Sequence, residues 1–281
     1  MPSDRSGTAR EATVDGSGNA LAEVEEAWPG TAAAPAPRPA DPEGLRATLQ
    51  RLSAAQKGSA GAPLYSRFVN RPLGRFFAAL AFGAGLTPNA VTAVSAAFTA
   101  TGIALLALVP PSVPMGLTVA ACLVLGYGLD AADGQLARLR GGGSPAGEWL
   151  DHMVDAAKVA GLHLAVAIGL YRFTDVDPAV LLIPLGFCFV DVVIFFAMML
   201  NEALRAQHGA ATRAQGPTQQ VGIARSVLAL PTDYGVLALA FVLFGATSVF
   251  VPVYAALGLA EGLFLALALV KWFREMDRLP R

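Results

Sequence analysis

The chain has 281 residues, of which 54% are hydrophobic and only 15% are charged, and its mean hydropathy is +0.53. This composition is too apolar for an ordinary soluble domain, so we predict an all-α integral membrane protein. A net charge of −1 gives no electrostatic support for a nucleic-acid partner. The two cysteines, Cys122 and Cys188, lie in separate apolar runs, which argues against a disulfide framework or a Cys-based metal site.

The N-terminal segment differs in composition from the rest. Residues 1–58 are rich in Ala, Gly, Pro, Ser and Glu, and we predict a disordered cytoplasmic tail there, followed by one membrane domain over residues 59–281. Within the tail, Leu45, Leu49 and Leu52 recur at helical spacing. This pattern is typical either of a short amphipathic helix that touches the membrane surface or of a transient helix in a disordered segment.

Arginine residues then repeat every four positions in the stretch "YSRFVNRPLGRFF", residues 65–77. Arg67, Arg71 and Arg75 alternate with apolar side chains such as Phe68 and Phe76. The pattern predicts an N-terminal interfacial amphipathic helix whose arginines face anionic lipid headgroups.

Six apolar segments follow, each long enough to cross a hydrocarbon core of about 30 Å as a helix. A "VPPSVP" turn separates the first two segments and "FVPV" separates the last two, so both pairs are expected to form tight hairpins on one side of the membrane. The six predicted transmembrane helices are residues 89–109, 112–138, 147–170, 179–202, 233–250 and 252–270.

Basic residues are distributed unequally between the two ends of these segments. Arg172 alone falls at the end with the short turns. The other end carries Arg138, Arg140, Arg205, Arg213, Arg225, Lys271, Arg274 and Arg278. By the positive-inside rule, a multi-pass cell-membrane protein with both termini in the cytoplasm is predicted.

Two polar stripes lie where the second predicted span ends and the third begins. Asp130, Asp133, Gly134 and Ala137 occupy positions i, i+3, i+4 and i+7, which places them on one helix face, with Arg138 at its edge. Arginine offers a planar set of donors that suits phosphate. Small residues on the same face let a ligand approach the backbone.

The second stripe begins after "GGGSP". Gly147, Asp151, Asp155 and Lys158 occupy positions i, i+4, i+8 and i+11, again on one face. Consecutive antiparallel helices can bring the two stripes together.

Four carboxylates held close together near lipid cannot all remain ionised without cations. Asp130, Asp133, Asp151 and Asp155 offer hard oxygen ligands. Such ligands favour Mg²⁺ or Mn²⁺, and two ions bridged by carboxylates fit this pattern.

From Asp130 to Asp155 the two stripes together read Asp-x2-Asp-Gly-x2-Ala-Arg-x8-Gly-x3-Asp-x3-Asp, a pattern of eight specified positions. This pattern resembles the signature of the CDP-alcohol phosphotransferases, also called CDP-alcohol phosphatidyltransferases. "LTPNAVT" at the first span and the six-span layout extend the resemblance over roughly residues 60–275. The resemblance implies Mg-dependent transfer of a substituted phosphoryl group from a CDP-linked alcohol to a second alcohol, with release of CMP, in a homodimer whose active site faces the cytoplasm.

The resemblance also implies roles for individual residues. The four aspartates would hold two metal ions, and Asp155 would in addition act as the general base that takes the proton of the acceptor hydroxyl. The cytidine diphosphate group would be bound by Gly134, Ala137 and Arg138, with Asn89 and Thr92 as weaker candidates nearby.

Five further polar residues lie outside the signature. Lys158 is expected to neutralise a carboxylate or to contact the acceptor, and Arg225 is our candidate for contacting the acceptor's phosphate or hydroxyls. Structural pairing is favoured for Asp191 and Glu261, deep in the fourth and sixth spans. We interpret His163 as an interior residue with satisfied hydrogen bonds rather than a ligand.

Two other functions compete with CDP-alcohol phosphotransfer. A membrane prenyltransferase binds an isoprenyl diphosphate through Mg²⁺ and aspartate-rich motifs, and a cation transporter uses carboxylates within the membrane. One compact aspartate cluster at the end of the spans argues against both. Within the favoured class, the donor is either CDP-diacylglycerol or a CDP-linked polar alcohol, and at least one substrate is expected to be a lipid.

Overall fold

Helices make up all the regular secondary structure in the part of the chain that the structure describes. This computed structural model describes residues 44–54, 63–210 and 230–280. Shorter helical turns are a π-helix at Ser66–Asn70 and 3₁₀-helices at Pro178–Leu181, Leu230–Thr232 and Phe241–Gly245. The α-helices in these residues are α1 (Leu45–Ala54), α2 (Arg71–Gly83), α3 (Pro88–Leu108), α4 (Val113–Leu139), α5 (Pro145–Phe173), α6 (Leu182–Gln207), α7 (Tyr234–Ala240) and α8 (Thr247–Met276).

Five helices of the described residues are long and apolar enough to cross a membrane. The first four agree with predicted spans to within five residues, and the fifth covers the last predicted span. They are Pro88–Leu108, Val113–Leu139, Pro145–Phe173, Pro178–Gln207 and Thr247–Met276.

The predicted span 233–250 corresponds to a shorter apolar element, Tyr234–Gly245. It has seven α-helical and five 3₁₀-helical residues. At rises of about 1.5 and 2.0 Å per residue, it measures roughly 20 Å, against a hydrocarbon core of about 30 Å.

The predicted turn at "FVPV" is wrong, because Pro252 lies inside α8. The chain instead breaks at Gly245 and Ala246, where the backbone leaves helical geometry (φ −114°, ψ 73° at Ala246). A Cβ at Gly245 would lie 2.4 Å from the backbone of Ser112, so only glycine fits against the turn between α3 and α4. Proline inside a membrane helix is tolerated where neighbouring groups satisfy the freed carbonyl.

The "VPPSVP" turn is confirmed between α3 and α4. Ser112 caps α4, because its Oγ accepts a hydrogen bond from the backbone N–H of Met115 at 3.3 Å. Thr87 caps α3 in the same way through the N–H of Ala90, at 3.2 Å. Proline follows each cap within the first turn, where its missing N–H costs nothing.

Close helix packing places α4 at the centre of the described bundle. It packs against α2, α3 and the 3₁₀-helix 241–245, while α5 packs against α3 and α6, and α6 against α8. At the α3–α4 contact, the Ser95 hydroxyl donates to the carbonyl of Gly126 at 2.8 Å. Small residues at such contacts let membrane helices approach closely.

Helices also occupy the segment before α3. Arg71–Gly83 and the π-helix before it cover the residues for which an interfacial helix is predicted. The leucines near residue 45 lie in α1, and Leu52 is buried beside Ala78 and Leu136. The rest of the predicted tail, residues 1–43 and 55–58, lies outside the described residues.

A polar network lies inside the bundle between α5, α6 and α8. His163 is fully buried and bonds both to the Tyr254 hydroxyl, through Nδ1, and to Asp191 Oδ2, through Nε2 at 2.8 Å. Because the carboxylate only accepts, we assign the proton to Nε2 and let Tyr254 donate to Nδ1. Glu261 lies within hydrogen-bonding reach of Asp191. The expected interior role of His163 is confirmed, and Asp191 is paired with it.

Candidate active site

The "GGGSP" sequence ends α4 and starts α5, which brings the two aspartate stripes to one end of the bundle. Gly141 and Gly142 adopt positive φ values of 95° and 135°, and the N–H of Gly142 bonds to the carbonyl of Ala137 at 2.9 Å. Ser144 then caps α5 by accepting a hydrogen bond from the N–H of Gly147 at 3.0 Å, with Pro145 as the first helical residue.

A lysine joins the two stripes. The Lys158 ammonium forms an ion pair with Asp155 and lies 3.6 Å from Asp130 Oδ1. All three side chains are largely buried, with 11% of Lys158, 20% of Asp130 and 26% of Asp155 exposed. Carboxylates from α4 and α5 therefore converge on one positive charge.

A second cluster of potential ligands lies one turn earlier on α5. Ligand atoms of Asp151, His152 and Asp155 all lie within 4.8 Å of one another, close enough to hold a metal ion. His152 also lies 3.9 Å from Glu148 Oε1. Its ring adds a nitrogen donor that the sequence analysis did not include.

The start of α3 supports both stripes. Thr92 donates a hydrogen bond of 2.6 Å to Asp133 Oδ2, and both residues are buried. A Cβ on Gly147 would lie 2.9 Å from Asn89 Oδ1, so this glycine lets the asparagine contact the backbone of α5. The Pro-Asn-x-x-Thr sequence of the first span is thus part of the same constellation.

The α4 stripe leaves open backbone beside cationic side chains. Within the described residues, a Cβ on Gly134 would meet only the Arg138 guanidinium, at 3.5 Å, and Ala137 is half-buried on the same face. The half-buried Arg71 of α2 lies within electrostatic range of Arg138. Burial lowers the pKa of Arg71 from its ordinary value, and the neighbouring Arg67 lowers it further. The neighbouring guanidinium groups of Arg71 and Arg138 favour an anionic ligand.

Tyrosine rings form a wall beside Lys158. The Lys158 ammonium lies 5.2 Å from the centroid of the Tyr234 ring, a cation–π contact. Tyr127 packs edge-on against Tyr234 at 5.1 Å, and Tyr65 stacks on Tyr127 at 6.4 Å. We call Tyr65, Tyr127 and Tyr234 the tyrosine wall.

Asp233 anchors the tyrosine wall. Its Oδ2 accepts from the N–H of Ser66 at 2.9 Å, and its Oδ1 accepts from the N–H of Gly235 at 3.1 Å. Burial raises the pKa of Asp233 above its ordinary value, while these hydrogen bonds oppose the shift. A Cβ on Gly235 would lie 1.9 Å from the Tyr65 ring, so only glycine admits that ring.

An apolar groove runs between α3 and α5, and Lys158 is among its lining residues. It has a volume of about 580 Å³, and its lining includes Ala100, Ala104, Gly161 and Ile168. From Lys158 to Ile168 it follows α5 for about 15 Å at ~1.5 Å per residue, which is half of a core of ~30 Å. Its size and length suit a hydrocarbon chain.

The donor set fits a divalent metal. Carboxylate oxygens dominate it, and these are the ligands that Mg²⁺ and Mn²⁺ prefer. The Lys158 ammonium is paired with Asp155 and lies 3.6 Å from Asp130, so carboxylate oxygens from both stripes lie close to one cationic group.

A sequence model of the CDP-alcohol phosphatidyltransferases matches residues 85–270, which contain both stripes and the start of α3. The chain belongs to the CDP-alcohol phosphatidyltransferase family. The resemblance drawn from the signature is therefore confirmed, and the protein is a CDP-alcohol phosphotransferase rather than a prenyltransferase or a transporter.

Two similar solved structures of CDP-alcohol phosphotransferases are of Mycobacterium tuberculosis phosphatidylinositol phosphate synthase, one in complex with manganese and citrate and one with CDP-DAG bound. Each is 20% identical to this chain and covers 73% of it, with a TM-score of 0.43. The match covers 89% of the first of these chains and 94% of the second. No similar sequence was found among functionally curated proteins.

Other candidate residues of this phosphatidyltransferase are not all in the described part of the chain. Lys158 lies in the cluster, whereas Arg213 and Arg225 lie outside the described residues. His152 and the tyrosine wall were not assigned to the site from the sequence. His152 lies between Asp151 and Asp155 of the signature, and this position is the local feature of the sequence that could have indicated a role in the site. The three tyrosines are distant in sequence, and Tyr127 contacts both Tyr65 and Tyr234 only through helix packing.

Proposed function

We propose that this protein transfers a phosphatidyl group from CDP-diacylglycerol to the hydroxyl of an acceptor alcohol and releases CMP, as a step in phospholipid biosynthesis. The observation that carries the proposal is the convergence of Asp130 and Asp155 on the Lys158 ammonium, in a residue that also lines an apolar groove. A polar reaction centre beside an apolar groove suits one nucleotide-bearing lipid and one polar substrate.

Asp155 is the proposed general base. It takes the proton of the acceptor hydroxyl as that oxygen bonds to the phosphorus attached to diacylglycerol, and the bond from this phosphorus to the CMP oxygen breaks. Asp130, Asp133, Asp151 and Asp155 would hold two Mg²⁺ or Mn²⁺ ions, which supply charge neutralisation on the phosphates and on the leaving group. Thr92 orients Asp133 through its 2.6 Å hydrogen bond.

The nucleotide side of the site is assigned to α3 and α4. Gly134 and Ala137 allow the cytidine diphosphate group to approach the backbone, and Arg138 binds phosphate. Asn89 and Thr92, at the start of α3, are assigned to the nucleotide side as further candidate residues. Their contacts with Gly147 and Asp133 support the assignment.

The acceptor side is assigned to Lys158 and Arg225. Lys158 lies beside the proposed base, so its ammonium is placed to contact an oxygen of the acceptor. Arg225 belongs to the connection between α6 and α7, outside the described residues.

A lipid donor is proposed because the matching family model is that of phosphatidyltransferases, which transfer a lipid-bearing group, and the groove has room for acyl chains. Its lining beyond Lys158 is almost entirely aliphatic, so it offers nothing to a polar alcohol. A CDP-linked polar alcohol as donor, with a lipid as acceptor, remains the second candidate. The groove suits the acyl chains of either lipid substrate.

The proposed setting is a cell membrane crossed six times, with Tyr234–Gly245 as the fifth crossing, and with the site and both termini in the cytoplasm. The basic residues at the ends of α4, α6 and α8 support this orientation by the positive-inside rule. We further propose that α2 lies in the membrane interface, that the domain spans residues 59–281 after a cytoplasmic tail, and that the protein is a homodimer.

The test is CMP release by the purified full-length protein with Mg²⁺. CDP-diacylglycerol is supplied first with polyols and polyol phosphates, and CDP-linked polar alcohols are then supplied with lipid acceptors. Metal-dependent CMP that requires one acceptor from the first set supports the proposal. CMP only from the second set would reverse donor and acceptor, and silence in both, with folded protein, would refute the proposed reaction.

A further inference from the structure

The tyrosine wall contains a polar atom that the reaction described above does not use. The hydroxyl of Tyr234 is buried and has no hydrogen-bond partner among the described residues. Buried hydroxyls are nearly always paired, because losing water without gaining a partner is unfavourable. An unpaired one beside a reaction centre is the arrangement expected of a group that bonds to a ligand.

Tyr234 lies next to the reacting groups. Its ring is 5.2 Å from the Lys158 ammonium, and that ammonium is paired with Asp155 and lies 3.6 Å from Asp130. Lys158 therefore contacts Tyr234, the proposed base and a proposed metal ligand at once. A molecule that reaches Asp155 on this side also reaches the tyrosine.

The ring is held in place from several directions. Tyr127 packs edge-on against it, and the backbone on either side is fixed by Asp233, which caps α7 and also accepts from the N–H of Ser66. The hydroxyl is thus preorganised, so little entropy is lost when it forms a hydrogen bond.

We propose that the Tyr234 hydroxyl is a positioning group for the acceptor and bonds to a second oxygen of that molecule, while Asp155 takes the proton of the reacting hydroxyl. This inference rests on the proposed function and narrows its substrate class to an alcohol that carries at least one further oxygen. Asp155 binds the reacting hydroxyl of the acceptor, and the Lys158 ammonium lies close to both Asp155 and the tyrosine ring. The Tyr234 hydroxyl would therefore bind a different oxygen of the same acceptor molecule. Tyr234 is not assigned to the binding of the CDP-linked substrate, because the nucleotide side of the site is formed by α3 and α4.

The test compares Tyr234→Phe with Tyr171→Phe in the full-length protein. Each change removes one phenolic oxygen, but Tyr234 contacts Lys158, whereas Tyr171 is exposed near the opposite end of α5. With CDP-diacylglycerol as donor and the most active of glycerol, myo-inositol and their monophosphates as acceptor, Tyr234→Phe should raise the acceptor KM about tenfold, the loss expected for one hydrogen bond. The donor KM and the midpoint of thermal unfolding should stay unchanged. Tyr171→Phe should leave all three values as in the wild type.

A second measurement does not depend on how much of the Tyr234→Phe protein is folded, because it compares ratios of kcat/KM between acceptors within each protein. Single-deoxy analogues of the same acceptor are compared with the parent compound on the wild-type protein, and one of them should lose about tenfold in kcat/KM. That loss should disappear in Tyr234→Phe, because the two deletions remove the two ends of one hydrogen bond. Deoxy analogues that all react like the parent, or equal losses in wild type and variant, would overturn the inference.

The outcomes separate this inference from the reaction on which it rests. Wild-type CMP release with an unchanged acceptor KM in Tyr234→Phe overturns the role of Tyr234 alone. An equal rise in donor and acceptor KM also overturns it, since the effect would then be a general disturbance of the site. No CMP from the wild type overturns the proposed reaction and this role together.

Discussion

Replacing Asp155 with asparagine removes the proposed base and keeps the size of the side chain. The structure indicates what else changes, because Asp155 is ion-paired with Lys158. Lys158 keeps a second carboxylate, Asp130, at 3.6 Å. At an effective dielectric constant of about 20, unit charges at that distance attract by roughly 5 kcal/mol before desolvation is counted.

The remaining pair keeps Lys158 compensated, so we expect Asp155→Asn to fold and to accumulate in membranes nearly as well as the wild type. Its turnover should fall by at least 10²- to 10⁴-fold, about the contribution of a positioned general base, and further through the lost metal ligand. CMP release at saturating substrate and the midpoint of thermal unfolding measure the two effects separately.

Asp175→Asn is the matched control, because Asp175 is exposed and follows α5 at the end away from the site. It should retain wild-type turnover. Near wild-type CMP release by Asp155→Asn would refute the assignment of the base. A variant that fails to fold would contradict the estimate that Asp130 compensates Lys158.

Three further predictions concern the support of the site and of the fold. Thr92→Val removes the 2.6 Å hydrogen bond to Asp133, so the Mn²⁺ concentration for half-maximal activity should rise about 10- to 100-fold, and an unchanged metal titration would contradict that role. Gly245→Ala places a Cβ 2.4 Å from the backbone of Ser112 and should lower the free energy of unfolding by about 1–3 kcal/mol. Gly186→Ala is its control, because a Cβ there meets nothing within 4 Å, and equal midpoints of thermal unfolding in the two variants would disprove the packing argument. Chelation of divalent metal should abolish CMP release, and Mg²⁺ or Mn²⁺ should restore it; release that persists in chelator would exclude the proposed metal site.

Much of the fold follows from local patterns. Spans bounded by proline and a capping hydroxyl, as at Ser112, were located to within a few residues because both signals act within one turn of helix. The break before α8 was misplaced for the same reason. Proline at residue 252 is a local signal for a turn, whereas the true break at Gly245 depends on contact with Ser112, which is distant in sequence.

The candidate site divides in the same way. Helical periodicity placed Asp130 with Asp133, and Asp151 with Asp155, on single faces, and two such faces on consecutive helices were enough to predict a metal site. Periodicity says nothing about which side chains from other helices come to meet these faces. The hydrogen bond from Thr92 to Asp133 is a contact between α3 and α4 of this kind.

By itself, the sequence determined the membrane character of the chain, the two aspartate stripes and the family to which it belongs, because hydropathy, helical spacing and a fixed signature are all properties of residues near one another in the chain. Only the tertiary structure decided that Lys158 bridges Asp130 and Asp155, that Tyr234 lies against this lysine, and that the same lysine lines a groove between α3 and α5. Those contacts join helices far apart in sequence. They depend on how closely small residues let the helices pack, and no local pattern records that distance.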